Sequence, residues 1–345
     1  MRKNRRSRNA VTMNEVAKEA GVSAMTVSRV LSGDAKVRDE TQSRVRLAIR
    51  ELGYSPNIAA RNLARAATLH VGLLYSNPSG GYLNEFLMGA LSLSGRTGCN
   101  LVVEKCSVRG ERRAISKLLD DGVAGVILPP PLSESKTALD SLVAAGLPFV
   151  RVATGRPDPN GISVCINNAE AAATMTRHLV SLGHRKVGFI IGASNQSASQ
   201  ERYGGFLAAL REAGIQPRPD WVMQGDFSYR SGLLAAEQML SSRDRPSAIF
   251  ASNDDMAAGA VAVAHRLNIA VPLGLTVAGF DDTPLATTIW PTLSTIRQPI
   301  AAMSRKALEL LLEEIRLQRL GKSLGPVQHF LDFSLVMRES SGPCQ

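Results

Sequence analysis

Arg29 sits one turn into the segment Ala24–Leu31 (AMTVSRVL). A guanidinium there can fork onto O6 and N7 of guanine in the major groove of DNA, the commonest specific contact between a side chain and a base. Ala24, Met25 and Ser28 share the N-terminal part of the segment, the part that a recognition helix presents to base edges. Ala24 and Met25 carry no hydrogen-bonding side-chain groups, so they can read only shape or a thymine methyl. Thr26, Lys36, Arg38 and Thr41 have the chemistry to hold phosphates, which set register without reading sequence.

The elements that must position these groups are written around them. Thr12-Met13-Asn14-Glu15 fits the capping box S/T-x-x-E, in which Thr12 covers an orphan amide and Glu15 reaches back. The spacing predicts a helix from there to about Ala20, with Val16, Ala17 and Ala20 on its inner side. Gly21 can take a positive φ cheaply and turn the chain. Ser23 is then a natural N-cap for a second helix over Ala24–Leu31, which Ser32-Gly33 ends. A third helix is expected over about residues 39–52, with Val45, Ala48, Ile49 and Leu52 at helical spacing and Gly53 as its stop. Thr12 and Ser23, at the two helix starts, join the DNA-facing set.

Charge points to the same partner. Residues 1–70 hold fourteen Lys or Arg against six acids, a balance of +8, whereas the other 275 residues balance to +2. A basic charge concentrated in this way is the footprint of a polyanion, because neutralising phosphates releases condensed counterions. Beyond the third helix, Pro56 ends what precedes it and Asn57 caps a short Ala-rich helix, too small to be stable alone. Asn57, Ala60 and Leu63 are its DNA-facing candidates. Leu63, flanked by Arg61 and Arg65, can pack against a symmetry mate or be driven as a wedge between base steps in the minor groove.

Composition excludes several classes. With 345 residues, two or three domains are expected. A 44% hydrophobic and 20% charged composition is ordinary for a soluble globular protein. No apolar run approaches the roughly 20 residues needed to cross a bilayer. The basic start (residues 2–8, RKNRRSR) lacks the apolar stretch of a secretory signal, so a cytoplasmic, nucleoid-associated location is expected. Cys99, Cys106, Cys165 and Cys344 form no C-x-x-C pair and adjoin no histidine cluster, which predicts buried free thiols and no metal. No G-x-G-x-x-G follows a strand, and G-x-x-x-x-G-K-[ST], G-x-S-x-G and H-E-x-x-H are missing, so neither catalytic residues nor a cofactor are expected.

After residue 68, short apolar runs alternate with amphipathic stretches. The strand-like runs are 70–74, 101–104, 125–128, 149–152, 187–191, 248–251 and 276–280, and helical patterns include 83–94, 169–182, 203–213 and 256–267. That alternation argues for parallel sheets with helices on both faces. Some 270 residues is much for one sheet, so two doubly wound α/β halves with a cleft between them are expected. Ligands in such folds sit outside the carboxyl ends of the strands. The polar residues there are Asn253, Asp281 and Arg202: two acceptors for hydroxyls, and a fork for a hydroxyl pair or a carboxylate. Tyr82 and Phe227 can supply a stacking wall. Read from their own positions, Asn253 and Asp281 are equally well placed to be N-caps of the following helices.

Residues 12–29 (TMNEVAKEAGVSAMTVSR) with 53–57 (GYSPN) resemble the DNA-binding head of the lactose/galactose repressor (LacI/GalR) family. So do 178–179 (HL), 182–185 (LGHR), 202–206 (RYGGF), 252–254 (SND), 277–282 (VAGFDD) and 335–340 (LVMRES), in that order over about 330 residues. The resemblance implies a three-helix helix-turn-helix head and hinge helix on two α/β subdomains of periplasmic-binding-protein-like type. It implies a homodimer on a near-palindromic double-stranded operator, Leu63 as the intercalating lever, and a small effector in the large domain that changes operator affinity. It also favours effector contact for Asn253 and Asp281.

The corresponding division is a basic disordered extension (1–10), the head (11–55), hinge and linker (56–68) and the effector and dimerisation domain (69–345). Its N-subdomain takes about 69–165 and 297–326, and its C-subdomain about 166–296 and 327–345. Arg297-Gln298-Pro299 marks a crossover between them. One departure concerns the effector. Many family members end the 149–152 strand with an aspartate that binds a sugar hydroxyl, and here Ala153 stands there with Arg151 on the same face of the strand. That exchange points to a modified or acidic saccharide. The rival readings are a transport-type sugar-binding protein, which would have a signal peptide and no DNA head, and a nonspecific nucleoid protein, for which the ligand cleft has no use.

Overall fold

A computed structural model describes residues 13–31, 38–52, 69–107, 109–155 and 161–345. The chain divides into two compact units, Met1–Thr68 and Leu69–Gln345.

In the first unit lie α1 (Met13–Glu19), α2 (Ala24–Leu31) and α3 (Asp39–Glu51). Gly21 makes the turn between α1 and α2 at φ +62°, a conformation that a Cβ would strain. Ser23 caps α2, its Oγ accepting the Thr26 amide at 3.2 Å. Val16, Ala17, Ala20, Val27, Val30, Val45 and Ala48 close into one buried cluster, the alanines on α1 leaving room for the valines of α2 and α3. Thr12, Lys36, Asn57, Ala60 and Leu63 lie outside the described residues, as do the 1–10 extension and the hinge.

The second unit holds two six-stranded sheets. Lobe 1 is built from β1 (His70–Tyr75), α4 (Gly80–Thr97), β2 (Asn100–Lys105), α5 (Glu111–Asp120), β3 (Val126–Leu128), α6 (Lys136–Ala144), β4 (Phe149–Val152) and β5 (Ile162–Cys165). Lobe 2 follows with α7 (Asn168–Ser181), β6 (Val187–Ile191), α8 (Ser197–Glu212), β7 (Val222–Gln224), α9 (Tyr229–Leu240), β8 (Ala248–Ala251), α10 (Asp254–Arg266), β9 (Thr276–Asp281), α11 (Leu285–Thr288) and β10 (Ser294–Arg297). The chain then returns through α12 (Ile300–Gln318), β11 (Val327–Phe330) and β12 (Ser334–Val336).

The sheet orders are β11-β5-β4-β3-β1-β2 and β12-β10-β9-β8-β6-β7. Every pairing is parallel except β10 with β12. Short apolar strands such as β3 (VIL) and β8 (AIFA) are buried along their whole length, as helices on both faces require. The last crossing between lobes comes later than the 326 boundary read from the sequence. Residues 327–330 pair with β5, Val327 opposite Ile162 and Phe330 opposite Cys165, so the chain leaves lobe 1 only after Phe330.

One apolar cluster runs through both lobes, including Leu73, Phe86 and Val152 from lobe 1 and Phe189, Phe206 and Phe280 from lobe 2. Separate clusters fill the far faces of the two sheets. Cys99, Cys106 and Cys165 are buried free thiols, whereas Cys344, against expectation, is exposed, because it falls in the chain's last few residues where little packs over it. Among the described residues, no helix is long and apolar enough to cross a membrane, and no cluster of His, Cys, Asp and Glu is placed to hold a metal ion.

Candidate effector site and DNA-reading helix

On α2, Val27 and Val30 turn into the head's core while Met25 is 66% exposed. Ala24 and Thr26 are half-buried, and the Thr26 hydroxyl lies 2.9 Å from that of Ser23, so the helix start is tied by side chains as well as backbone. Ser28 and Arg29 belong to the same helix, Arg38 is exposed just before α3, and Thr41 is half-buried in the first turn of α3. The helix thus offers solvent an apolar, flexible Met25 beside a rigid capped turn.

The carboxyl ends of both sheets meet at a small, partly open cavity. Lobe 1 contributes Asn77 after β1, Tyr82 on α4, Pro130 after β3 and Ala153 after β4. Lobe 2 contributes Gln196 and Arg202, Phe227 after β7, Asn253 after β8 and Asp281 at the end of β9, with Gln298 on the crossover. Five of the six effector candidates read from the sequence therefore converge on one cavity.

Arg202, on α8, is 4% exposed. Its Nε donates to Asn168 Oδ1 at 3.0 Å, its Nη1 donates to the Ser252 carbonyl at 2.5 Å, and the guanidinium lies 3.6 Å from the centroid of the Phe280 ring. Asp281 Oδ1 stands 3.8 Å from Arg202 Nη1 and accepts from Gln298 Nε2 at 2.7 Å. Burial raises the Asp281 carboxyl above the usual carboxylate range, while Arg202 and Gln298 oppose the rise. The neighbouring Asp282 is fixed separately, by Arg297 Nε and Arg338 Nη2, each at 2.6 Å. That grip holds two successive residues at positive φ, Asp281 at +111° and Asp282 at +57°.

Asn253 is an N-cap, and it also lines the cavity. Its Oδ1 accepts the Met256 amide at 3.0 Å as the N-cap of α10, and its Nδ2 donates to the Phe227 carbonyl at 2.9 Å. Asp281 caps no helix, since the next one, α11, starts at Leu285 with Pro284 at its N-cap. Phe227 sits at φ +69°, held there by the Asn253 bond and by Ser228, which caps α9. Its ring is admitted by Gly192, where a Cβ would lie 2.0 Å from the ring's Cζ.

Tyr82 Oη and Gln298 Oε1 are buried with no hydrogen-bond partner, and both residues line the cavity. Burial, aided by the Asp281 charge, pushes the Tyr82 phenol well above its ordinary value, with Arg202 opposing, so its hydroxyl stays a donor.

Arg151 does not line the cavity. It is 4% exposed, with Nε donating to the Ser133 carbonyl at 2.7 Å and Nη2 to Thr154 Oγ1 at 3.0 Å, and so ties the turn at Leu132–Glu134 to the end of β4. A side chain sharing a strand face with Ala153 can still be drawn along that face when backbone acceptors lie there. Asn77, Ser79, Pro130, Gln196, Ala198 and Gln298 were missed. Each follows a strand end by one to seven residues, and that position was the available signal.

Residues 12–57 match the model of bacterial regulatory proteins of the lacI family, and residues 176–341 match the periplasmic binding protein-like domain. The chain is 36% identical over 318 residues to the HTH-type transcriptional repressor PurR of Pectobacterium carotovorum, covering 89% of this chain and 91% of that one. The chain belongs to the LacI family. Among solved LacI-family structures, the transcriptional regulator CelR in complex with cellobiose superposes with a TM-score of 0.72 at 30% identity, covering 96% and 99% of the two chains. The lac repressor dimer bound to operator and the anti-inducer ONPF gives 0.75 at 28%, covering 97% and 100%. As a LacI-family member the chain is a DNA-binding transcriptional repressor under small-molecule control, with an α/β effector domain, and the transport-protein alternative falls.

Proposed function

We propose that this repressor binds a near-palindromic double-stranded operator as a homodimer and responds to an uncharged, hydroxyl-rich ring compound, a neutral saccharide, held in the cavity between the lobes. The observation that carries the effector class is the orphaned pair, Tyr82 Oη and Gln298 Oε1. A buried donor and a buried acceptor left unpaired are costly, and hydroxyls that both donate and accept would satisfy the two together. Phe227 and Tyr82 give the apolar face of a ring something to lie on.

Charge argues against an acid. Arg202 already faces Asp281, and Arg151, the second cation of the sequence argument, is spent on Ser133 and Thr154. The solved CelR complex with cellobiose, a neutral sugar, lends support from the same fold. The reading is of a cytoplasmic binding protein rather than an enzyme, with the effector as its only small molecule.

A thermal-shift screen of neutral sugars, sugar acids and nucleobases tests the effector class. At a hundredfold excess over Kd a ligand stabilises by about 2.7 kcal/mol, which a melting curve resolves. Neutral sugars alone should raise Tm, and a rise with sugar acids alone would reject the reading. For the head, Arg29→Ala should lower discrimination between a selected operator and random DNA by ~10-fold or more, the worth of one bidentate guanine contact. Unchanged discrimination would remove Arg29 from the recognition surface.

A further inference from the structure

Two hydroxyl–carboxylate bonds run between the lobes, in opposite directions. From lobe 1, Ser79 Oγ donates to Asp255 Oδ2 of α10 at 2.6 Å. From lobe 2, the Ser197 amide donates to Glu134 Oε2 at 3.0 Å and the Ser197 hydroxyl donates to Glu134 Oε1. Ser197 Oγ in turn accepts the amide of Gly155, from lobe 1, at 2.8 Å. Neither Asp255 nor Glu134 lines the cavity.

Ser79 itself lines the cavity, and each bond is anchored beside a further lining residue. Ser79 caps α4, which presents Tyr82 three residues on, and Ser197 opens α8, which presents Arg202 five residues on. Asp255 comes two residues after Asn253, and Gly155 two after Ala153. The lobes cannot part at the cavity without breaking both bonds, and each break leaves a carboxylate without its hydroxyl donor. Ala153 offers the facing lobe no acceptor, and Glu134 supplies one from the neighbouring loop instead.

We propose that Asp255 and Glu134 are positioning residues, a pair of latches that hold the lobes closed and so set effector affinity without touching the effector. The functional half of this statement rests on the cavity being the effector site. The latches themselves can be tested with no effector present.

The test is amide hydrogen exchange on the full-length protein, with each latch cut and the opposite one read. Ser79→Ala would also remove the α4 cap, so the first latch is cut with Asp255→Ala and the second with Glu134→Ala. Asp255→Ala should quicken exchange at the Ser197 and Gly155 amides about tenfold, as for loss of one charge-assisted bond, and Glu134→Ala, which loses both Ser197 bonds, should quicken it at the Tyr82 amide by at least about as much. Both cuts act on one opening equilibrium, so the double variant should reach roughly a hundredfold. Glu134→Gln, which keeps a carbonyl acceptor, should fall between Glu134→Ala and the parent.

A rise confined to the latch that was cut would overturn the proposal, because each bond would then be a local contact. An equal rise across β3 and β8 would overturn it too, as general destabilisation. If the latches respond as expected while no small molecule raises Tm, the effector reading fails and the latches stand.

Discussion

The two lobes share a strand order and divide the cleft unequally. Lobe 2 brings the charged and strongly held groups, with Arg202 bonded to Asn168 and Ser252, and Asn253 bonded to Phe227, all within that lobe. Lobe 1 brings neutral groups, Asn77, Tyr82, Pro130 and Ala153, and the Tyr82 hydroxyl has no partner there. Lobe 2's charged groups are bonded before anything binds, whereas in lobe 1 Asn77 is tied to the Pro130 carbonyl and the Ser79 amide and the Tyr82 hydroxyl is left to an occupant. Most of the affinity should therefore reside in lobe 2, and discrimination in lobe 1.

The largest break in that asymmetry is at Arg202. Arg202→Ala leaves Asp281 without its cation, and breaking a buried pair from one side costs about 3–5 kcal/mol. Protonation of Asp281 would absorb part of that, since its carboxyl is already raised by burial. Arg202→Lys separates fold from function. Lysine keeps the positive charge but cannot bond Asn168 and Ser252 together in the guanidinium's fixed geometry. Lobe 2 should then unfold near its parent temperature while the effector response is lost, measured by melting curves and by operator binding with and without the effector. A retained response would place the affinity outside lobe 2's network.

A change in lobe 1 should behave in the opposite way. Tyr82→Phe removes only an oxygen that has no hydrogen-bond partner in the protein. Stability should hold or rise slightly, because a buried unpaired hydroxyl is lost, while effector affinity falls about tenfold for the missing bond. Calorimetric titration against melting curves would read both signs. A loss of stability would mean that the hydroxyl already has a partner, and the cavity would then need another explanation.

Legibility followed the same division between local pattern and assembly. The helix-turn-helix could be read because its cap, glycine turn and inward valines lie within about twenty residues, and α2 fell on the expected bounds. Seven strand-like runs correspond to β1–β4, β6, β8 and β9, which carry continuous apolar stretches. The runs at β5, β7, β10, β11 and β12 were not picked out. They are three or four residues long, and β7, β11 and β12 lie at sheet edges, where burial does not demand an apolar sequence. Arg202, Asn253 and Asp281 were legible from strand ends together with family likeness. The fate of Arg151 was not, since it depends on a carbonyl at Ser133, eighteen residues away, that no periodicity reports.

The smallest expected effect is a pH dependence of lobe 2 centred on His184. This imidazole is 2% exposed, with Nε2 3.0 Å from the Gly342 carbonyl and Nδ1 2.9 Å from the Ser247 hydroxyl. A carbonyl can only accept, so Nε2 carries the proton and the neutral ring takes the Ser247 hydroxyl at Nδ1. Protonating Nδ1 would turn that acceptor into a donor inside the lobe. Burial accordingly lowers the His184 value, with the Gly342 carbonyl opposing, and lowers that of His178, whose ring meets Ser341 at 3.4 Å. For a group whose folded value is depressed, the unfolded chain binds more protons, so its contribution is complete above about pH 6.5 and is lost as pH falls further. Both rings pin the 341–342 segment to lobe 2, so acid should loosen that C-terminal strap first. Hydrogen exchange between pH 7 and 5 should show faster intrinsic-rate-corrected opening at Gly342 and Cys344, whose amides bond Thr276 Oγ1 and the Leu182 carbonyl. The strands of lobe 1 should not change over that range. His184→Gln, which can donate and accept at the same sites, should flatten the dependence, and an equal acid response in both lobes would assign it to net charge rather than to the strap.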